Sequence, residues 1–162
     1  DLIRNMRSAI PELVLRTTFI TGFPGETEEQ FAELVEFVED AKFERMGVFT
    51  YSFEPDTPAA RLPDHIDEDV KEERRERLIA AQQPLAFCRQ QAELGKKRDV
   101  LLDGPVPGER NAWIGRTFAD APDIDGVVYV SGEGLKAGQI VGCEIVGAQG
   151  YDLIAAAVED PR

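Results

Sequence analysis

A glycine-rich turn in the first third of the chain has the residue types that could hold a ligand. The turn consists of Gly22, Phe23, Pro24, Gly25 and Glu26. Its glycines let the backbone approach a ligand at the carboxyl end of a strand, where the sites of parallel barrels lie. No Gly-Lys-Ser/Thr follows, so the turn is not a phosphate-binding P-loop. Taken alone, a Gly-Pro turn before a helix is usually structural.

The two cysteines and the one histidine form no catalytic or metal-binding pattern. Cys88 and Cys143 have neither a CxxC partner nor a neighbouring histidine, which predicts core or surface thiols. His65 could act as a general base, but its loop offers no partner, so we expect an exposed histidine. The acidic string 120–126 departs from the EF-hand pattern at its first and last ligand positions, and it predicts an acidic turn before a strand.

Composition restricts the partners. The 162 residues include 31 acidic and 18 basic side chains, a net charge of −13. This charge disfavours non-specific duplex binding and favours a basic partner. Two cysteines predict a reducing compartment, the cytoplasm. The sequence has no apolar run of membrane-spanning length, so we expect neither a leader nor a membrane partner.

Residues 13–52 have the pattern of a βαβ unit. Residues 13–15 and 17–21 are apolar or β-branched, as is the second predicted strand, 46–51. Thr27 and Gln30 predict a capping box for the helix between them. A helical crossover implies parallel strands. One such unit cannot close a sheet, so we expect the remaining strands to come from elsewhere. An apolar helix pattern that starts at Leu2 likewise suggests a cut from a longer chain, or else Met removal or a tag remnant.

A charged helix is predicted over residues 67–94, after a proline-rich loop. Asp67 is its expected N-cap, Pro84 should kink or split it, and Gly95 can end it. We expect the charge run to be solvated: Lys71, Glu72, Glu73, Arg74, Arg75, Glu76 and Arg77.

The last third predicts a small closed β-barrel. Short apolar runs alternate with glycine-rich and proline-rich turns, at the spacing of a five-stranded OB-like barrel. Trp113 is expected to pack in or on this barrel, with RNA stacking as the alternative. The predicted strands are 100–102, 112–114, 127–130, 140–145 and 153–158.

Four strings together resemble the methylthiotransferases, radical S-adenosylmethionine enzymes that end in a TRAM domain. They are RTTFITGFPGET at 16–27, FTYS at 49–52 with TPA at 57–59, DAPDIDG at 120–126 and GYDL at 150–153. The resemblance implies an α/β part plus a small all-β part. It places the last βα units of a radical S-adenosylmethionine (β/α) barrel at 1–66, a connecting helix at 67–95 and a five-stranded TRAM barrel at 96–158.

Within that family, the Arg-Thr-Thr opening and the DAP-x-x-DG string are similar to the branch that methylthiolates the β-carbon of an aspartate in a small-subunit ribosomal protein. Residues 96–162 carry 7 basic and 11 acidic groups, a net charge of −4. An RNA-binding TRAM barrel should be basic, so we expect a basic ribosomal protein as substrate and no RNA. The alternatives are methylthiolation of a transfer RNA adenosine and a non-catalytic TRAM-type binding module.

The resemblance also implies cofactors and site residues. The family uses S-adenosylmethionine and two [4Fe–4S] clusters, held by a CxxxCxxC motif and by three cysteines of an N-terminal domain. Neither set occurs in this chain, so we expect those parts outside it, no metal ligand or catalytic residue within it, and no activity from it alone. The resemblance assigns Gly22, Phe23, Pro24, Gly25 and Glu26 to the adenosine or ribose. It implies that Glu26 fixes the turn by binding backbone N–H groups. It also implies that Arg16 binds a carboxylate of the cofactor or the substrate, and the alternative for Arg16 is a salt bridge inside the barrel.

Overall fold

The computed structural model describes residues 2–158. The chain divides into two compact units, Asp1–Ala86 and Phe87–Arg162. The functional division at residues 66 and 95 stays a prediction. The elements of the chain, in order, are α1 (Leu2–Ala9), β1 (Arg16–Thr21), α2 (Glu28–Ala41), β2 (Arg45–Thr50), a 3-10 turn (Ala59–Arg61), α3 (Glu68–Gln91), β3 (Lys97–Pro105), β4 (Ala112–Arg116), β5 (Val128–Ser131), β6 (Ile140–Gln149) and β7 (Asp152–Ala157).

The first unit contains the predicted βαβ arrangement. β1 and β2 pair in parallel, from Arg16 opposite Arg45 to Thr21 opposite Thr50. The prediction of strand structure at 13–15 was wrong, because within residues 2–158 β1 pairs with β2 alone, and β2 begins at Arg45. The backbone of Leu15 instead bonds at the strand entrance: its N–H donates to Glu44 Oε2 at 2.7 Å, and its carbonyl accepts from Arg45 N–H at 3.1 Å.

Helix α2 covers one face of the two strands. Its N-terminus has the predicted capping box: Thr27 Oγ1 accepts the Gln30 N–H at 3.3 Å, and Gln30 Oε1 accepts the Thr27 N–H at 3.0 Å. These bonds satisfy two backbone donors that a helix start otherwise leaves open. The core of this unit is formed by Phe31, Val38, Val48 and Leu78.

Helix α3 differs from the prediction in three ways. Lys71 and Arg74 are buried rather than solvated, with 3% and 6% of their surface exposed. Pro84 lies inside the helix, which runs on to Gln91, so of the two predicted effects the split does not occur and the kink stays a prediction. The helix ends four residues before Gly95, whose N–H donates to Ile145 O at 2.8 Å.

The second unit contains the predicted barrel. Its strands close in the order β3-β4-β5-β7-β6, with β3 pairing with β6. All pairs are antiparallel except β5 with β7. Trp113 packs against the core, as expected. That core is formed by Val100, Leu102, Val128, Val130, Cys143, Ile145, Leu153 and Ala155.

Within residues 2–158, no helix combines the length and the apolar character that a bilayer crossing requires.

Candidate functional site

The glycine-rich turn lies directly after β1, at the carboxyl end of the parallel pair. The Glu26 N–H donates to Phe23 O at 2.9 Å, which closes the turn. Gly22 and Pro24 are buried, whereas Phe23 is 45% exposed and Gly25 is exposed. The turn therefore offers the Phe23 ring and the Gly25 backbone to the solvent side.

Gly22 is required at its position for two reasons. Its φ of +73° lies in the left-handed region, which L side chains rarely adopt. A Cβ there would also overlap Lys71 Cγ. Helix α3 thus packs directly against the backbone of the turn, through a lysine that the sequence analysis placed in solvent.

Glu26 fixes the start of the turn. Its Oε1 accepts the Gly22 N–H at 3.1 Å and a guanidinium N–H of Arg74 at 2.7 Å. The Glu26 side chain is 13% exposed and that of Arg74 is 7% exposed. Glu26 thus binds one backbone N–H of the turn, that of Gly22, and its place beside a cofactor stays a prediction.

A second support comes from the loop after β2. The Gly25 N–H donates to Asp64 O at 3.0 Å, so the loop is pinned to the turn. The neighbouring His65 is exposed, as predicted, with Nε2 3.3 Å from Ala60 O. Its ring lies 5.4 Å from that of Phe53 and 6.2 Å from that of Tyr51.

Lys71 also closes the carboxyl end of β2. Its ammonium donates to Tyr51 O at 3.1 Å and to Glu68 Oε1 at 2.7 Å, and it lies 5.4 Å from the centre of the Tyr51 ring. The same ring contacts Phe23 edge-on at 5.4 Å. The cation therefore satisfies a strand-end carbonyl and stabilises the aromatic pair beside the turn.

Arg16 does not join this group. It is the first residue of β1, and the turn follows the last one, Thr21. Five residues of strand at about 3.3 Å each separate the two ends by about 16 Å. A role for Arg16 in cofactor binding stays a prediction.

Sequence reasoning missed Lys71 and Arg74 because both stand in a continuous charge run. One signal was available: Lys71, Arg74 and the fully buried Leu78 are spaced three and four residues apart, which puts them on one helix face. An apolar residue at that spacing marks the face of a charged helix that packs inward.

The acidic string in the second unit forms the predicted turn before β5. Asp120 Oδ2 accepts from both the backbone and the hydroxyl of Thr117, at 3.0 and 2.6 Å. Asp125 Oδ2 accepts the Ala121 N–H at 2.7 Å. Both carboxylates thus bond within their own loop.

The two thiols lie in different surroundings. Cys88 is exposed, and Cys143 is buried in the barrel core. Burial, assisted by the negative charge of Asp99, raises the pKa of the Cys143 thiol to about 11. Within residues 2–158, no three His, Cys, Asp or Glu side chains are grouped so as to hold a metal ion.

Comparison with known proteins finds a family that matches the barrel and relatives that are similar to nearly the whole chain. Residues 94–158 match the TRAM domain family. Over 160 residues the chain is 47% identical to the ribosomal protein uS12 methylthiotransferase RimO of Syntrophotalea carbinolica, which covers 99% of this chain and 35% of that protein. Proteins of the same name from Synechococcus sp. (strain JA-3-3Ab) and Clostridioides difficile are 49% and 48% identical, over 99% and 94% of this chain and 34% of each relative.

The chain thus spans about a third of the length of these curated relatives. Its likeness to them extends over both compact units, and the match to the TRAM domain coincides with the closed barrel. These findings confirm the family that the four sequence strings indicated. Residues 94–158 thus form a TRAM domain, and the chain as a whole is similar to the uS12 methylthiotransferases over about a third of their length.

Proposed function

We propose that this chain is the C-terminal portion of a cytoplasmic enzyme that methylthiolates the β-carbon of an aspartate in ribosomal protein uS12. The observation that carries the proposal is the 47–49% identity, over nearly all of this chain, to proteins named as uS12 methylthiotransferases. The reaction belongs to radical S-adenosylmethionine chemistry. The chain supplies one wall of the cofactor site and the domain that binds the protein substrate.

The first unit has features of the last strands of a parallel barrel. One face of the β1–β2 pair packs on the core that includes Phe31 and Val48, whereas Ile20 and Phe49 on the other face are exposed. Parallel strands are normally covered on both faces. This exposed apolar face supports the proposal that further strands of a (β/α) barrel continue the sheet.

The turn suits a ligand that lies against its backbone. The Cβ side of Gly25 faces open space, and the Phe23 ring is half exposed beside it. S-adenosylmethionine, when bound and reduced, supplies the adenosyl radical of the reaction. In the proposed site the adenosine or ribose lies against four residues of the turn: Gly22, Phe23, Pro24 and Gly25. Glu26 keeps the turn in shape by accepting the Gly22 N–H.

The iron–sulfur clusters do not fit this part of the protein. Such clusters are held by several cysteine thiolates. Cys88 is exposed, whereas Cys143 is enclosed in the barrel core and its raised pKa disfavours the thiolate. We therefore assign the cluster ligands to segments outside this chain, and we expect the chain alone to be inactive.

The TRAM barrel is proposed to bind uS12. Its net charge of −4 over residues 96–162 disfavours a nucleic-acid backbone and suits a basic protein. Substrate binding by an acidic barrel is the feature that separates this proposal from a transfer RNA methylthiotransferase.

The test uses the full-length gene product that contains this chain, reconstituted anaerobically with iron and sulfide. The protein is incubated with S-adenosylmethionine and a reductant, and either uS12 or transfer RNA is added. Mass spectrometry should find one methylthio group in place of one hydrogen on an aspartate of uS12 and none on RNA. Methylthiolated adenosine without modified uS12 would reverse the assignment of substrate.

A further inference from the structure

We propose that Arg74 is a positioning residue for S-adenosylmethionine, which acts on the Gly22–Glu26 turn through the carboxylate of Glu26. The inference depends on the proposed function, because it assumes that this turn bounds the cofactor. It adds a residue on α3, outside the glycine-rich strings, to those that determine cofactor affinity.

The first step is the double hold of Arg74 on Glu26. Arg74 Nη1 donates to Glu26 Oε1 at 2.7 Å and to the Glu26 main-chain oxygen at 3.0 Å. Side chain and backbone of the same residue are therefore held by one guanidinium nitrogen. Arg74 Nη2 lies 3.4 Å from Glu28 Oε2, which ties the guanidinium to the first turn of α2 as well.

Glu26 in turn holds the backbone of Gly22. The carboxylate oxygen that Arg74 binds is also the one that accepts the Gly22 N–H at 3.1 Å. If that oxygen moves, the Gly22 amide loses its acceptor. Because Gly22 leads the chain out of β1 into the turn, its backbone sets the path of the residues that follow.

Burial of the Arg74–Glu26 ion pair strengthens this hold on the turn. Arg74 and Glu26 are almost enclosed, so their charges are only weakly screened by water. Removal of the cation leaves a nearly buried carboxylate without a counter-charge, which is strongly unfavourable. We expect the Glu26 side chain then to turn toward solvent and release Gly22.

Arg77 provides a matched control one helical turn later. It is 45% exposed, pairs with Glu28 at 2.8 Å and lies 4.8 Å from the centre of the Phe31 ring. It shares the charge, the helix and the neighbouring acid with Arg74, and its ion pairs are with Glu28 and Glu73. An effect of Arg74→Met that Arg77→Met lacks therefore reports on the hold on Glu26.

The experiment measures two quantities in the full-length gene product, for Arg74→Met, Glu26→Gln and Arg77→Met. The first is amide hydrogen exchange at Gly22. The second is the dissociation constant of S-adenosylmethionine by equilibrium dialysis, with kcat at saturating cofactor measured beside it. Glu26→Gln keeps the two Arg74 bonds to the Glu26 carbonyl and to Glu28, so this variant decides the question if Arg74→Met does not fold.

Arg74→Met should speed amide exchange at Gly22. It should raise the dissociation constant of S-adenosylmethionine about tenfold, because one charge-assisted hydrogen bond is lost. The kcat at saturating cofactor should change little. Glu26→Gln should give a smaller shift in the same direction, and Arg77→Met none. Equal cofactor affinity in all variants would overturn the inference, even with faster exchange at Gly22. A wild-type protein that binds the cofactor but modifies no uS12 would refute the proposed function alone, since the affinity comparison still decides the role of Arg74.

Discussion

Ile20 and Phe49 stand directly opposite each other in the β1–β2 register, and the two residues are 56% and 62% exposed. Two large apolar side chains paired across parallel strands would normally be covered by another layer or by further strands. The residues beside them, Phe19 and Val48, pack into the core on the opposite face. The sheet is therefore completed on one face and incomplete on the other.

The barrel should respond very differently to alanine at two of its glycines. A Cβ at Gly115 would stand 2.6 Å from Leu101 O and 2.7 Å from Val100 Cγ1, whereas the space around Gly104 is open. Because the neighbour is backbone, Gly115→Ala should lower the free energy of unfolding by about 1–3 kcal/mol, the usual cost of overpacking. Gly104→Ala should change it by about 0.5 kcal/mol or less.

Urea unfolding of the chain, followed by the fluorescence of Trp113, provides the measurement. Trp113 is the one tryptophan of the chain and packs on the barrel core. Equal transition midpoints for the two variants would show that the close approach of β3 to β4 at Gly115 is wrong.

The barrel also protects one thiol. Burial and Asp99 raise the pKa of Cys143 to about 11, so at pH 8 only about a thousandth of this thiol would be ionised. Cys88 is exposed. A thiol reagent at pH 8 should label one cysteine per native chain and two in denaturant, and Cys88→Ser should leave none reactive in the native state. Fast labelling of Cys143 in the folded chain would contradict its position in the core.

Glu93 should make the free energy of unfolding of the second unit depend on pH. Partial burial raises the pKa of Glu93, but hydrogen bonds from Arg98 and Lys96, at 2.7 and 2.8 Å, outweigh burial and hold the pKa below 4.5. A carboxyl with a lowered folded pKa stabilises the fold at pH values above 4.5, and this contribution disappears as the pH falls through the folded pKa.

Glu93→Gln should therefore destabilise the chain at pH 7, by less than about 1 kcal/mol because the pair is partly solvated. The difference from wild type should shrink as the pH falls below 4.5 and through the lowered pKa of folded Glu93. Glu109→Gln, at an exposed position, is the matched control. A difference that grows on acidification would show that burial, and not Arg98 and Lys96, controls this carboxyl.

Much of the fold could be predicted because its signals are local. The Thr27–Gln30 capping box needs only four residues, and the barrel strands are apolar runs between glycines. The burial of Arg74 was not predictable in this way, since its partner Glu26 lies 48 positions earlier and only the tertiary fold brings them together. The strand prediction at 13–15 failed for a related reason: these apolar residues precede the point where β2 begins, and no other strand in the described part of the chain pairs with them.

The sequence string located the turn of the candidate site, but it did not reveal the residues that hold the turn in place. Gly22 and Gly25 were visible as a turn, whereas the contacts that fix it come from Asp64, Lys71 and Arg74. Those three residues follow the turn by about 40 to 50 positions, in a loop and a helix whose sequences predict solvent exposure. Periodicity within one element cannot show which distant backbone it will meet.

The acidic barrel should prefer a basic protein to RNA. Binding of the chain to purified uS12 and to transfer RNA is measured over a salt series. An unrelated protein domain of neutral net charge, used in place of the chain, is the negative control. We expect uS12 to bind, with an affinity that falls as salt rises, and RNA to bind weakly at every salt concentration. Tight, strongly salt-dependent RNA binding without uS12 binding would assign the chain to a nucleic-acid substrate.

The central claim is that the β1–β2 pair belongs to a larger sheet, whereas the barrel is complete within the chain. Amide hydrogen exchange on residues 1–162 tests it most directly, because protection reports the free energy of local opening. We predict slow exchange at 100–102, 127–130 and 140–145. Exchange should be much faster at 17–21 and 48–51, whose outer edges pair with no strand in residues 2–158 and whose one face is exposed. Equal protection of both sets of strands would show that the first unit is self-sufficient and would contradict the claim.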